Sequence, residues 1–365
     1  MTTTQELESK LDKARVFMDQ KKHAAVYCKA QSNFSWLTCG GSDQIIHGCP
    51  EGFAGILVTF DDVYVVTNNI EMPRLELEEL KDLPYKHAEF SWIDGEEREK
   101  IREVIGSKDV ATDLPLSFGS FDPGIDRLRV PLTAAEIGRF RELAGLCSGS
   151  FEKVVEQLKP GMSEFEIQSV VAAGLLSRGV FPLVLLVGTD HRIFHFRHPR
   201  PTEKKLERYC MIVICAERWG LILSMTRLFH FGKPPAEIAA KYDALLQVDL
   251  AYITATRRGN SLSQVFEAGR RMYREVGFSG EEQMHFQGGT CGYSIREQDL
   301  ERDNAYVIQE GEIFAHNPTI TGVCVEDSIL LDKEGYQVLT LSDSWPSREV
   351  EYGGTSVLRP EILSL

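Results

Sequence analysis

Hydrophobic and polar positions change period several times along the chain, and each change marks an element. LESKLDKARVFMDQKK repeats its apolar residues at helical spacing, and the AAVYC that follows is an apolar run of strand length. GILVTFDDVYVVTNN holds two β-branched runs around Asp61-Asp62, a pair suited to a hairpin turn. Helical stretches are predicted at EMPRLELEELKDL and at DGEEREKIREVIG. The segment LPLSFGSFDPGIDRLRVP is rich in Gly, Pro and Asp, and a long helical pattern begins after it at Leu132. A domain boundary is predicted in this linker near residue 125, giving an α/β domain over 1–125 and a second domain over 126–365.

The second domain contains an internal echo at an offset of 98 residues. PGMSEFEIQSVVAAGLLSRGV has Gly161 and Gly179 placed 18 apart, and RGNSLSQVFEAGRRMYREVGF has Gly259 and Gly277 at the same spacing. Ser163 with Glu166, and Ser261 with Gln264, each form the Ser-x-x-Glu/Gln pattern that caps the orphan N–H groups of a helix start. The closing glycines stand where a helix wants a left-handed cap. The pattern predicts a duplicated helix-and-sheet unit, hence a pseudo-symmetric α+β domain with a site between its halves.

Composition narrows the function classes. With 43% hydrophobic and 26% charged residues in a chain of 365, an ordinary globular protein is expected and disorder is disfavoured. No apolar run approaches the roughly 20 residues of a membrane span, and the first residues lack a signal-peptide core, so a cytoplasmic protein without membrane partners is expected. A formal charge of -14 argues against nucleic acid as a partner, because such binders usually carry a basic face. Eight cysteines without a CxxC pair exclude zinc ribbons and disulfide frameworks, which leaves the Asn33-Phe34-Ser35 sequon silent.

Candidate chemistry lies in the second domain. In IFHFRHPRPT, alternation through His195 and a kink at Pro199 would place His198 at a strand end. MIVICAERWGLILSMTRLFHFG reads as two apolar strands around Glu217-Arg218-Trp219-Gly220, with Arg227 inside the second; a buried arginine requires an anionic partner. GEIFAHNPTITGVCVEDSILL is another hairpin-like pair carrying Glu326 and Asp327. Carboxylates inside a strand are costly unless paired or functional, and a salt bridge between Arg227 and Glu326 would account for both without any function. HFQGGTCGYSIRE, residues 285–297, sets three glycines between a histidine and Arg296-Glu297.

The order of these stretches closely resembles the creatinase/prolidase/methionine aminopeptidase superfamily and its pita-bread fold, over nearly the whole chain. NFSWLTCGG looks like the family's Asn-x-x-Tyr-Leu-Thr-Gly stretch, and LKPGMSEFEI is similar to its first helix start. HPRPT is similar to its substrate-side histidine motif, SMTRLF to its Ser-Asp-Ile-Thr-Arg-Thr-Phe, and GVCVEDSILL to its Gly-Val-Arg-Ile-Glu-Asp-Thr. The resemblance implies a creatinase-type N-terminal α/β domain, a duplicated pita-bread C-terminal domain, and a homodimer in which the N-terminal domain approaches the partner's cleft; His47, in GGSDQIIHG, reads first as an ordinary loop histidine, with a lid or cross-subunit contact as the alternative.

The family's peptidases hold two divalent metals with two aspartates, a histidine and two glutamates. At those places this chain has Val213 or Cys215, Ser224, Gly289 and Asn317, and only Glu326 survives. One carboxylate cannot hold a pair of hard dications, so no metal and no other cofactor is expected; a site rebuilt from His285, His316 and Cys324 is the competing arrangement. Creatinase shows that the same cleft hydrolyses a C–N bond without metal. On that resemblance His198 is expected as the proton-transferring base and Glu326 as the second catalytic group. Arg227 and Arg296 would hold a substrate carboxylate, while His316, Asn317 and the backbone of Gly288 and Gly289 would line the site and donate to an oxyanion. The function implied is metal-independent hydrolysis of an amide or amidine bond in a small, amino-acid-like or short-peptide substrate. Two alternatives are a non-catalytic peptide- or ligand-binding module and a conventional Xaa-Pro aminopeptidase or dipeptidase. Cys291, in a glycine-rich turn, is the one cysteine considered as a nucleophile.

Overall fold

The computed structural model describes residues 2–106 and 108–365, which divide into two compact units. The first runs over 1–136 with 219–221, the second over 137–218 with 222–365. The first unit therefore runs past the linker in which the sequence places its boundary. Among the described residues no helix is long and apolar enough to cross a membrane.

In the first unit, the helix Thr3–Lys21 starts from a capping box made by Thr2 and Gln5. Six strands form one mixed sheet in the order Lys86–Phe90, Val63–Asn68, Glu51–Thr59, Ala25–Ala30, Val110–Thr112, Ser120–Phe121. The Glu51–Thr59 and Val63–Asn68 strands are the hairpin expected around Asp61-Asp62. EMPRLELEELKDL departs from its helical pattern: it gives only a short helix at Met72–Arg74 and one π-turn over Leu75–Glu79. Pro73 and the run of Glu76, Glu78 and Glu79 leave too few apolar positions for a longer helix to bury. Lys10 lies inside this unit with no exposure, and its ammonium is held by Glu6 at 2.6 Å, Glu136 at 2.8 Å and the Trp36 carbonyl at 2.7 Å.

The second unit is duplicated in detail. Ser163–Glu166 and Ser261–Gln264 both form complete capping boxes, at the starts of the helices Glu164–Leu176 and Leu262–Glu275. All four echoed glycines have positive φ: 90° and 67° at Gly161 and Gly179, 88° and 85° at Gly259 and Gly277. Each N-cap serine also makes an isolated antiparallel bridge to a returning segment, Ser163 with Lys205 and Ser261 with Val307. The first copy feeds the strands Phe181–Thr189, Tyr209–Arg218 and Leu221–His230; the second feeds Gly288–Cys291, Glu312–His316 and Asp327–Asp332. These strands build a four-stranded and a five-stranded sheet, with helices Ala236–Ala255 and Leu262–Glu275 contributing to an apolar core of the unit.

A chain of buried ions joins the two copies. Asp327 faces Arg227 at 2.9 Å and Arg359 at 3.0 Å, and Arg359 faces Asp249 on the long helix at 2.7 Å. None of the four is more than 2% exposed. The partner of Arg227 is thus Asp327, neither the substrate carboxylate expected from the sequence nor Glu326, the functionless alternative, because neighbouring strand residues point to opposite faces of the sheet. Removing Asp327 leaves two buried guanidiniums without their shared anion. Asp327→Ala is expected to lower unfolding stability by about 3–5 kcal/mol, read from the urea midpoint; a loss below about 1 kcal/mol, the scale of an exposed pair, would contradict this role.

Candidate active site

A cleft of about 290 Å³ lies wholly within the second unit. One wall comes from cross-strand neighbours: Val184 is opposite Cys215 and Leu186 opposite Val213, so their side chains share a face. Both positions competing for the family's first aspartate, Val213 and Cys215, therefore line the cleft. The other sheet contributes Asn317 at the end of Glu312–His316 and Glu326 just before Asp327–Asp332, and Cys324 comes from the separate hairpin Thr319–Ile320/Val323–Cys324 between them. The turn between Gly288–Cys291 and Gln298–Asp299 brings Ile295, Arg296 and Asp299. Arg197, His198, His285 and Phe286 complete the lining, and Phe286, 72% exposed, stands at its mouth.

Polar groups in the cleft are paired in two sets. Glu326 accepts from Thr226 Oγ1 at 2.9 Å through one oxygen and lies 3.3 Å from Arg296 through the other. Burial pushes its carboxyl above the usual glutamate range, against the pull of Arg296. The second set is His198 and His285, whose Nε2 atoms are 3.0 Å apart. His285 is lowered to about 4, first by burial and then by repulsion from His198, and so remains neutral at pH 7. The Asn317 Oδ1 atom is buried without a hydrogen-bond partner, an acceptor left open inside the cleft.

The structure thus gathers four of the residues expected from the sequence, His198, Glu326, Arg296 and Asn317, and sets four others elsewhere. Arg227 is committed to Asp327 and the Thr340 carbonyl. His316, 1% exposed, faces Thr256 Oγ1 at 2.9 Å and is absent from the lining, which also separates the trio His285, His316 and Cys324. Gly288 and Gly289 are strand residues whose backbone is spent on sheet pairing. A Cβ at Gly289 would stand 2.1 Å from the Gln298 carbonyl oxygen, so no histidine side chain fits there without moving the strand. His198 lies in a loop after the short helix His191–His195, not at a strand end, since the 190–208 segment forms no ladder of its own. Cys291 is a buried strand residue whose thiol burial pushes up to about 12, the reverse of an activated nucleophile.

Sequence reading placed His285 only in a hypothetical metal trio and missed Arg197 and Asp299 altogether. His285 stands four residues before the glycine that replaces the family's metal histidine, a spacing that signals proximity to the cleft. Arg197 and Asp299 gave no such signal, because nothing local distinguishes them from surface charges. Among the described residues no group of three His, Cys, Asp or Glu side chains is arranged to hold a metal ion.

Comparison with known proteins bears on this geometry. The family model described as metallopeptidase family M24 matches residues 138–333, which contain every residue of the cleft. An uncharacterized peptidase of Staphylococcus aureus (strain MW2) is 27% identical over 293 residues, covering 73% of this chain and 83% of the relative. Dipeptidase PepE from Mycobacterium ulcerans has the same fold with a TM-score of 0.78 at 17% identity, covering 93% of this chain and 97% of its own. The Xaa-Pro dipeptidase from Bacillus anthracis superposes with a TM-score of 0.74 at 15% identity, over 98% and 100% of the two chains.

The neutral state of His285 can be checked directly. Its folded value lies below the ordinary histidine value of about 6.5, so the stability it contributes is complete above about pH 6.5 and is lost as pH falls through about 4. Histidine Cε1–H titration by NMR is expected to show one imidazole titrating near 4, absent in His285→Gln. In His198→Gln it should rise only in part, because burial is the larger cause; a value near 6.5 in the wild type would refute the burial argument.

Proposed function

Because the chain belongs to metallopeptidase family M24, we propose that its cleft is hydrolytic, and that it cleaves a C–N bond of a small amino-acid-like or short-peptide substrate without the divalent pair of the family's peptidases. The observation that carries this reading is the state of Glu326. It is the one carboxylate at the family's five ligand positions, and it is already engaged by Arg296 and Thr226. A dication beside it would face the Arg296 guanidinium, and the remaining four positions offer Val213 or Cys215, Ser224, Gly289 and Asn317. The Cys215 thiol is pushed up to about 12 and stays protonated at pH 7. This donor set does not fit a pair of hard dications, which take several anionic oxygens.

The residues present suit acid–base hydrolysis instead. His285 stays neutral, and His198, whose Nε2 lies 3.0 Å from it, is the base of this reading. His198 removes a proton from water as the water oxygen bonds to the carbonyl or amidine carbon, and returns it to the nitrogen as the C–N bond breaks. Arg296 binds a substrate carboxylate or the developing oxyanion, with Asn317 as a second polar contact. Glu326 orients Arg296 and offers a partner for a substrate ammonium. The apolar wall of Val184, Leu186 and Val213 takes the substrate's hydrocarbon part.

Protein purified without added ions and dialysed against chelator is expected to stay folded, to contain no stoichiometric divalent metal by elemental analysis, and to hydrolyse members of a panel of dipeptides, small amides and amidines. His198→Gln should lower kcat by about 10²–10⁴-fold. Two tightly held metals per chain, with activity lost on their removal, would establish a conventional metallopeptidase. Peptide binding by calorimetry without turnover would establish a binding module in the same cleft.

A further inference from the structure

We propose that Glu164, outside the cleft and without a role in the chemistry, is a positioning residue that holds the His198 loop in register; the inference rests on the hydrolytic reading of the cleft. Glu164 begins the helix of the first copy and is completely buried. A buried carboxylate is costly unless its lone pairs are filled, and here they are filled from both ends of one loop. Oε1 accepts from the Thr189 N–H at 2.9 Å and the Thr189 hydroxyl at 3.0 Å, where the loop leaves its strand. Oε2 accepts from the Thr202 N–H at 2.9 Å and the Thr202 hydroxyl at 2.7 Å, where the loop returns, and also from Arg192.

The span between Thr189 and Thr202 contains His198, and its immediate neighbours are tied down in turn. Arg192 donates to the Arg200 carbonyl at 3.0 Å. Pro199 rests on the strand backbone at Gly188, so closely that a Cβ there would meet its ring at 2.6 Å. Arg197 donates to Thr321 Oγ1 at 3.0 Å and pairs with Glu281. With both loop ends and both flanking residues fixed, His198 has little freedom beyond its own side-chain torsions.

The duplication supplies an internal control. At the echo offset the position of Glu164 is Leu262, which is also completely buried. The backbone arrangement is the same in both copies, with the Glu164 N–H donating to the Lys204 carbonyl at 3.1 Å and the Leu262 N–H to the Tyr306 carbonyl at 3.0 Å. A leucine therefore satisfies the scaffold. The carboxylate appears only in the copy whose returning segment delivers a histidine to the cleft, so its demand comes from that loop rather than from the helix start.

The test uses the full chain with ¹³C-labelled histidine, the His198 resonance being identified by its disappearance in His198→Gln. Glu164→Gln puts an amide N–H₂ where an acceptor is needed, and Thr202→Val removes one donor at the far end of the loop should the first variant fold poorly. Both are expected to shift the His198 Cε1–H resonance and its titration. Where a substrate has been found, both should lower kcat by about 10- to 100-fold, the scale of a misplaced catalytic group, with KM little changed. Glu166→Ala, which removes the capping box of the same helix and an exposed pair with Lys205 but touches neither Glu164 nor the two threonines, should lower the Tm and leave the His198 resonance in place. Folded Glu164→Gln and Thr202→Val proteins with His198 signals superimposable on wild type would overturn the clamp, whatever their turnover. A displaced His198 resonance in a protein inactive on every substrate would uphold the clamp and remove the catalytic reading.

Discussion

Everything in the second unit hangs on the buried chain Arg227–Asp327–Arg359–Asp249. It links a strand of the first copy, a strand of the second, the long helix between them and the C-terminal hairpin strand Thr355–Pro360. Such ions stabilise a fold only when fully compensated, and replacing a satisfied pair by apolar residues is often neutral. Their consequence here is geometric. The Thr226 N–H donates to the Glu326 carbonyl at 3.0 Å beside the Arg227–Asp327 pair, so the strand alternation that turns Arg227 and Asp327 inward turns Thr226 and Glu326 toward the cleft. The same few residues lock the halves together and set the carboxylate of the site.

That carboxylate works in an unusual environment for this family. Arg296 and the Thr226 hydroxyl occupy its oxygens, the Cys215 thiol stays protonated, and a neutral His285 lies against His198. The two copies differ at the helix start: one has Leu262, and the other has Glu164, which holds both ends of the loop that carries His198.

Much of the fold was legible because it is written in local periodicity. The capping boxes at Ser163 and Ser261, the four left-handed glycines and the hairpin at Asp61-Asp62 each depend on residues within a few positions of one another. The site was legible only in part. His198, Glu326, Arg296 and Asn317 were named from the sequence, whereas Arg197, beside His198 in the same stretch, and Asp299 look like surface charges until the fold brings them to the cleft. Arg227 was recognised as needing an anion, but not which one. Glu326 and Asp327 are adjacent, and a strand's face is decided by its sheet partners, not by its own sequence.

What the sequence by itself determined was the list of elements and the duplication in the second half. These follow from spacing and residue type. Tertiary structure alone decided which polar groups share water-excluded space: that Asp327 takes Arg227 and leaves Glu326 to Arg296, that His316 turns to Thr256 while His285 turns to His198, and that a strand carbonyl closes off position 289. Burial and pairing are properties of neighbours brought together from a hundred or more residues apart in some cases, as at Arg227–Asp327 and Arg359–Asp249, and no local pattern records them.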